Sequence, residues 1–105
     1  MNVKVISHHP GEGVFPTFSE GTAVVMGKED THFLRWYPCV IDGHETYVPE
    51  SFVRDSRLIR NYNPTELAAE VGDILEVREI VNAWLIAENA DGETGWIPAE
   101  SVVSV

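Results

Sequence analysis

The strongest constraint on the fold of this chain is an internal repeat. Residues 42–53 read DGHETYVPESFV, and residues 91–102, which begin 49 positions later, read DGETGWIPAESV. Four of the twelve aligned pairs are identical, and Tyr47 and Val48 are replaced by Trp96 and Ile97 in the second copy. A fixed period of this length is typical of a duplicated structural unit. We therefore expect two copies of one small fold, each near the lower size limit for independent folding.

Short β-branched and aromatic segments alternate with turn residues along both halves. Asp42-Gly43 is a hairpin signal because both residues tolerate positive φ, and Pro49 is expected to close the strand that follows. Residues 50–53 are predicted to form a 3₁₀ turn. Residues 65–76 contain good helix formers, but Gly72-Asp73 interrupts them, so a loop and a strand are favoured over a helix. The pattern predicts an all-β fold of small barrels.

Charge and cysteine content restrict the classes of partner and compartment. The chain carries 17 acidic and 7 basic residues, and its formal net charge is −10. Such a surface repels phosphate groups, so we expect no nucleic-acid partner and no membrane binding, whereas a basic or neutral protein partner fits. A net charge of this size is also explained by solvation of the surface alone, without any partner. The single cysteine excludes an internal disulfide, and the first residues contain no apolar leader, which predicts a soluble cytoplasmic protein.

The second half resembles a Src-homology-3 (SH3) domain in four segments. These are IRNYNP at 59–64, ELAAEVGDILEV at 66–77, Ala83-Trp84, and GWIPAESV at 95–102. The first half is similar in FSEGTAV at 18–24, in Trp36, and in YVPESFV at 47–53. The whole chain resembles small bacterial proteins that consist of two such domains in tandem and have no settled role. The resemblance implies two tandem SH3-like small β-barrels, at residues 1–55 and 56–105.

The resemblance also implies a set of binding residues. SH3 domains hold extended, often proline-rich peptides in a shallow aromatic groove, where the polyproline conformer loses little entropy. In the second half, the matching ligand-binding residues are Tyr62, Trp84 and Pro98. In the first half, with a margin of one residue at the histidine, they are His8, Trp36, Pro49 and Phe52. Arg60 and Ser101 stand where the family has two further tyrosines, so the resemblance supports the fold more strongly than it supports the recognition of polyproline.

The titratable residues form no pattern that indicates catalysis. Four histidines, two of them adjacent at His8-His9, lack the spacing of metal ligands. Cys39 aligns with Ala87, an inward strand position in the family, which favours a small buried side chain over a nucleophile. No pair of carboxylates can be placed in one cleft, and no glycine-rich loop precedes a helix. We expect no enzyme activity, no cofactor and no metal.

These observations favour a protein-interaction module over two other classes. In this interpretation a protein or an extended peptide, with proline-rich or basic character, docks on the aromatic residues. The first alternative is a structural protein whose aromatic grooves are self-association surfaces, for example in a homodimer. The second is a small-ligand or metal sensor that uses His8, His9 and Cys39.

Overall fold

The computed structural model describes all 105 residues of the chain. The chain contains ten β-strands and two short 3₁₀ helices and no α-helix, so the all-β prediction is confirmed. No helix has the length and hydropathy needed to cross a bilayer. In chain order the elements are β1 (Asn2–Val5), β2 (Val24–Met26), β3 (Trp36–Ile41), β4 (His44–Pro49), a 3₁₀ helix (Glu50–Phe52), β5 (Val53–Arg54), β6 (Arg57–Leu58), β7 (Ile74–Val81), β8 (Trp84–Glu88), β9 (Thr94–Pro98), a 3₁₀ helix (Ala99–Ser101) and β10 (Val102–Ser104).

The chain forms two compact units, and unit 1 consists of Met1–Val14 together with Thr65–Val105. Its five-stranded sheet has the order β10-β1-β7-β8-β9. β1 is therefore an inner strand, with Val3 opposite Ser104 on one side and opposite Leu75 on the other. The two-residue period of a strand buries Val3 and Val5 and exposes Lys4. The core contains both valines together with Leu67, Ala69, Leu75, Leu85, Ala87 and Ile97.

Unit 2 consists of Phe15–Pro64. It contains a three-stranded sheet in the order β2-β3-β4 and a two-stranded sheet formed by β5 and β6. The turn between β3 and β4 is Asp42-Gly43, with φ values of 50° and 79°, so the predicted hairpin is confirmed. Pro49 is the last residue of β4, and the predicted 3₁₀ turn follows it at Glu50–Phe52.

The boundaries of the two units differ from those of the predicted domains, 1–55 and 56–105, because a tight turn follows β5. Asp55 and Ser56 have φ values of 51° and 60°, and this turn folds β6 back onto β5. Leu58 then donates a hydrogen bond to the Thr22 carbonyl, at 2.9 Å. Residues 57–64 consequently stay with unit 2, while β1, from the start of the chain, completes the sheet of unit 1.

Both units contain the same strand ladder. In unit 2, Trp36 at the start of β3 lies opposite Pro49 at the end of β4. In unit 1, Trp84 at the start of β8 lies opposite Pro98 at the end of β9. A 3₁₀ helix follows the proline in each case. The repeat in the sequence thus corresponds to two hairpins of the same register.

Candidate functional site

The Trp84 site, which we define as His9, Glu66, Trp84 and Pro98, lies in unit 1. Trp84 is half-buried, and β-pairing brings Pro98 beside it. The ring of His9 meets the Trp84 ring edge-on, with centroids 6.0 Å apart and planes inclined by 71°. Pro98 itself is buried, so the indole of Trp84 supplies the partly exposed flat apolar face, with little rotamer freedom to lose on binding.

Hydrogen bonds hold the imidazole of His9 in this position. Its Nδ1 lies 2.8 Å from the carbonyl oxygen of Leu67, and its Nε2 lies 3.0 Å from Oε1 of Glu66. Both neighbours are acceptors, so both bonds form only when both ring nitrogens carry protons. The hydrogen bond to Glu66 raises the pKa of His9 above its ordinary value of 6.5, with help from the Leu67 carbonyl and the charge of Glu12, although burial opposes the shift.

The position of Glu66 depends on a close backbone approach. Leu67 donates to the Trp96 carbonyl at 2.8 Å, and Trp96 donates to the Thr65 carbonyl at 3.1 Å, so residues 65–67 run alongside β9. A Cβ atom on Gly95 would lie 2.8 Å from the Leu67 nitrogen, too close for any side chain. Glycine at position 95 therefore allows the segment that carries Glu66 to pack against the strand.

The Phe52 cluster, which we define as Trp36, Pro49, Phe52 and Tyr62, lies in unit 2. The Phe52 and Tyr62 rings meet edge-on with centroids 5.4 Å apart, and the Tyr62 hydroxyl donates to the Tyr47 carbonyl at 2.5 Å. Trp36 is 6% exposed, and Phe52 and Tyr62 are each 3% exposed. The guanidinium of Arg60 lies 4.2 Å from the centre of the Phe52 ring, a cation–π contact. These aromatic side chains are part of a packed interior rather than an open groove.

The structure groups the seven predicted site residues differently from the sequence. Tyr62 belongs to unit 2, where it packs on Phe52, and not with Trp84 and Pro98 in unit 1. His8 belongs to unit 1 and is exposed, with its Nδ1 3.1 Å from Oε2 of Glu70. The physical reason is the exchange of strands, because residues 57–64 pair within unit 2 and residues 1–9 pair within unit 1. The ligand-binding role of all seven residues stays a prediction.

Two members of the Trp84 site were not predicted from the sequence. His9, rather than His8, packs on Trp84 because its backbone pairs with Ala69 in both directions, at 2.9 and 2.8 Å. The change from His8 to His9 lies within the one-residue margin with which the sequence alignment placed this histidine. Glu66 carried no signal of its own, since its partner is 57 residues away in the sequence. No local spacing in the sequence indicates that His9 points inward, because β1 ends at Val5 and His9 follows a bend at Ser7.

The other reactive groups are arranged for packing. Cys39 is a buried free cysteine, as predicted, and burial raises the pKa of its thiol to about 11. A thiol with such a pKa remains protonated and is a poor nucleophile at neutral pH. No three histidine, cysteine, aspartate or glutamate side chains lie close enough together to hold a metal ion.

One comparison with known proteins relates this geometry to a family. Residues 61–99 match the family model of the SH3 domain, a range that includes Tyr62, Trp84 and Pro98. No curated protein and no solved structure matches the chain significantly. The match begins in residues that belong to unit 2 and continues through β9 of unit 1. SH3 domains are generally protein-interaction modules, so the match supports an SH3 domain in residues 61–99 and, with it, a non-enzymatic binding role.

Proposed function

We propose that this chain is a protein-interaction module made of two SH3-like units in tandem, and that the Trp84 site of unit 1 holds the ligand. The half-buried indole of Trp84 carries this proposal, because it presents an aromatic face beside a proline and remains accessible. The shared ladder of Trp36 with Pro49 and Trp84 with Pro98 supports a second SH3-like copy in the first half. A cytoplasmic location stays a prediction.

The chemistry of the site favours an extended peptide with a basic flank. A proline ring or another flat apolar group on the ligand would stack on Trp84, as in polyproline recognition. Glu12, Glu66 and Glu70 belong to the same unit, and the chain as a whole has a net charge of −10. Lysine or arginine beside the apolar group would therefore be attracted to this unit. One shallow site of this kind gives an affinity on the order of micromolar.

The second candidate function is structural, with the aromatic residues serving self-association. Because Trp36, Phe52 and Tyr62 are buried within the single chain, the surface that a second copy would cover in this candidate is that of the half-buried Trp84. In a homodimer of this kind the apolar surface would be covered by a second copy, and no peptide would be needed. Light scattering over a concentration series distinguishes this candidate from a monomeric binding module.

Nuclear magnetic resonance titration of the ¹⁵N-labelled full chain tests the first candidate. The probe is a capped proline-rich peptide with arginine flanks, and the control peptide has alanine in place of each proline. We expect the proline-rich peptide to shift the amide resonances of Trp84 and of the two residues next to Pro98. Trp84→Ala should weaken binding by at least about tenfold, because the stacking surface is lost.

The matched control variant is Val103→Ala, an exposed strand position of the same unit. It should bind the peptide as the wild type does, and both variants must keep a dispersed spectrum. Equal binding by wild type and Trp84→Ala would contradict the proposal. An absence of peptide binding, together with a concentration-dependent dimer, would favour the structural candidate.

A further inference from the structure

Unit 2 has an exposed apolar surface, the β2–β4 face, formed by Val25, Pro38, Val40 and Tyr47. Val25 lies opposite Val40 across β2 and β3, and Pro38 lies opposite Tyr47 across β3 and β4. Val25 is 69% exposed and Tyr47 is 51% exposed. Together these residues line a depression of about 470 Å³. A cluster of exposed apolar side chains on neighbouring strands is a typical mark of an interaction surface.

The corresponding positions of unit 1 are charged and mutually paired. There the cross-strand pair equivalent to Val25 and Val40 is Glu76 and Glu88. Arg78 contacts the carboxylates of both glutamates. The two units therefore use one ladder position in opposite ways, since unit 1 presents an ion-paired cluster and unit 2 presents two valines. Fold geometry alone does not require the valines, because the same register accommodates charged residues.

The next cross-strand pair on the same face, which contains Tyr47, shows the same contrast between the units. The equivalent of Tyr47 in unit 1 is Trp96, which is 3% exposed. Residues 65–67 run beside Trp96 and exchange two backbone hydrogen bonds with it. In unit 2 the Tyr47 carbonyl accepts the Tyr62 hydroxyl instead. The ring of Tyr47 consequently remains half-exposed next to Pro38.

Charge identifies the kind of occupant that fits the β2–β4 face. Glu45 lies opposite Val40 and lines the depression, whereas no lysine or arginine lines it. A second copy of the chain would bring another net charge of −10 to this surface, which opposes self-association. A partner with basic residues beside apolar ones is attracted by the same charge, and the interaction is electrostatically complementary.

We propose that the β2–β4 face docks an extended segment of a basic partner protein. Aliphatic side chains of the segment cover Val25 and Val40, and a lysine or arginine of the segment pairs with Glu45. An extended segment suits the site because its side chains alternate with the same two-residue period as the strands beneath. This surface is distinct from the Trp84 site, and the proposal does not depend on that site binding a ligand.

Titration of the ¹⁵N-labelled full chain with two short capped peptides tests this proposal. The probe alternates leucine with lysine, and the control alternates serine with lysine, so both have the same charge. We expect the leucine–lysine peptide to shift the amides of Val25, Val40, Glu45 and Tyr47. The serine–lysine peptide should leave them in place, because it has no apolar side chains to bury.

Variants distinguish this surface from the rest of the chain. Val40→Lys should lower the affinity for the leucine–lysine peptide by at least about tenfold, since it places a like charge on the face. Val103→Lys, at an exposed strand position of unit 1, is the matched control and should bind as the wild type does. Trp84→Ala should bind the leucine–lysine peptide as the wild type does, so the result does not depend on whether the Trp84 site binds a ligand.

Three outcomes would overturn the proposal. Equal shifts with both peptides would mean that charge alone drives the interaction. Shifts confined to unit 1 would place the interaction elsewhere. Shifts of the β2–β4 face that appear on concentrating the free protein would make a second copy the occupant.

Discussion

His9 shows how a polar ring is accommodated beside Trp84. Each of its nitrogens faces an oxygen, one from the Leu67 carbonyl and one from the Glu66 carboxylate. A neutral imidazole has only one N–H and leaves one oxygen opposite a lone pair, whereas the imidazolium satisfies both. The folded state therefore binds a proton at His9 more tightly than the unfolded chain does, and proton binding is linked to stability.

We predict that His9 stabilises the fold in a pH-dependent way. Because the pKa of His9 is raised above 6.5 in the folded state, its contribution is fully present below the unfolded pKa and is lost as the pH rises through the folded pKa. Urea unfolding of wild type and His9→Gln between about pH 5.5 and 8.5 measures the difference, which should be about 1–2 kcal/mol at the acidic end and should shrink with rising pH.

The control for this prediction is His8→Gln. His8 is exposed and its pair with Glu70 is a surface contact, so the variant should differ from wild type by less than about 1 kcal/mol. A difference between wild type and His9→Gln that stays constant across the pH range would show that packing, and not the proton, is what His9 contributes.

At the element scale, tight turns with positive φ fix the strand registers. Asn82 and Ala83 connect β7 and β8 with φ values of 43° and 73°. Val81, just before this turn, lies opposite Trp84, just after it. Two-residue turns of this kind match the right-handed twist of the strands and favour Asn-Gly. Alanine at the second position is held in the left-handed region, where its Cβ atom is strained. This turn sets the position of Trp84 relative to the sheet.

Ala83→Gly should therefore raise the free energy of unfolding. Relief of the left-handed strain outweighs the greater chain entropy of glycine in the unfolded state, for a net gain of about 0.5–1 kcal/mol. The matched control is Ala87→Gly in the buried centre of β8, which should lose about 1 kcal/mol. Thermal or urea unfolding of both variants gives the comparison, and a loss of stability in Ala83→Gly would contradict the strain argument.

At the scale of the whole molecule, each unit needs chain segments from both predicted domains. β1 is an inner strand of the unit 1 sheet, although it belongs to the first half of the sequence. β6 and Tyr62 pair within unit 2, although they belong to the second half. A cut at residue 55 would therefore separate unit 1 from its inner strand β1, and unit 2 from β6 and Tyr62.

We predict that the fragment 56–105 does not fold by itself. Without β1, its sheet loses the strand between β7 and β10, together with the buried Val3 and Val5. The matched fragment 15–64 keeps every strand of unit 2 and should show more dispersed amide resonances. Addition of a synthetic peptide 1–14 to the fragment 56–105 should restore dispersion. A cooperative thermal transition of 56–105 alone would instead support the predicted domain boundaries.

Local chemistry in the sequence determined the fold class, the repeat and most of the strands. The Asp42-Gly43 turn and the strand end at Pro49 follow from the φ preference and the missing N–H of individual residues, whereas the burial of Cys39 was implied by the resemblance. The break at Gly72-Asp73 likewise ends the helical tendency of the residues before it, and β7 begins at Ile74. Such features depend on neighbours a few residues apart, so a linear pattern contains them.

Tertiary structure alone decided which strands share a sheet and which aromatic residues meet. The two halves resemble each other, and β1 and the segment 57–62 have matching places in them, so the sequence pattern does not say which sheet each segment joins. In the structure the turn at Asp55-Ser56 folds β6 onto β5, so that Tyr62 meets Phe52, while the pairing of His9 with Ala69 brings His9 to Trp84. The free energy of that choice comes from contacts such as those of Val3 with Leu75 and Ser104 and of Phe18 with Tyr62, between residues 44 to 101 positions apart, and no local propensity reports on them.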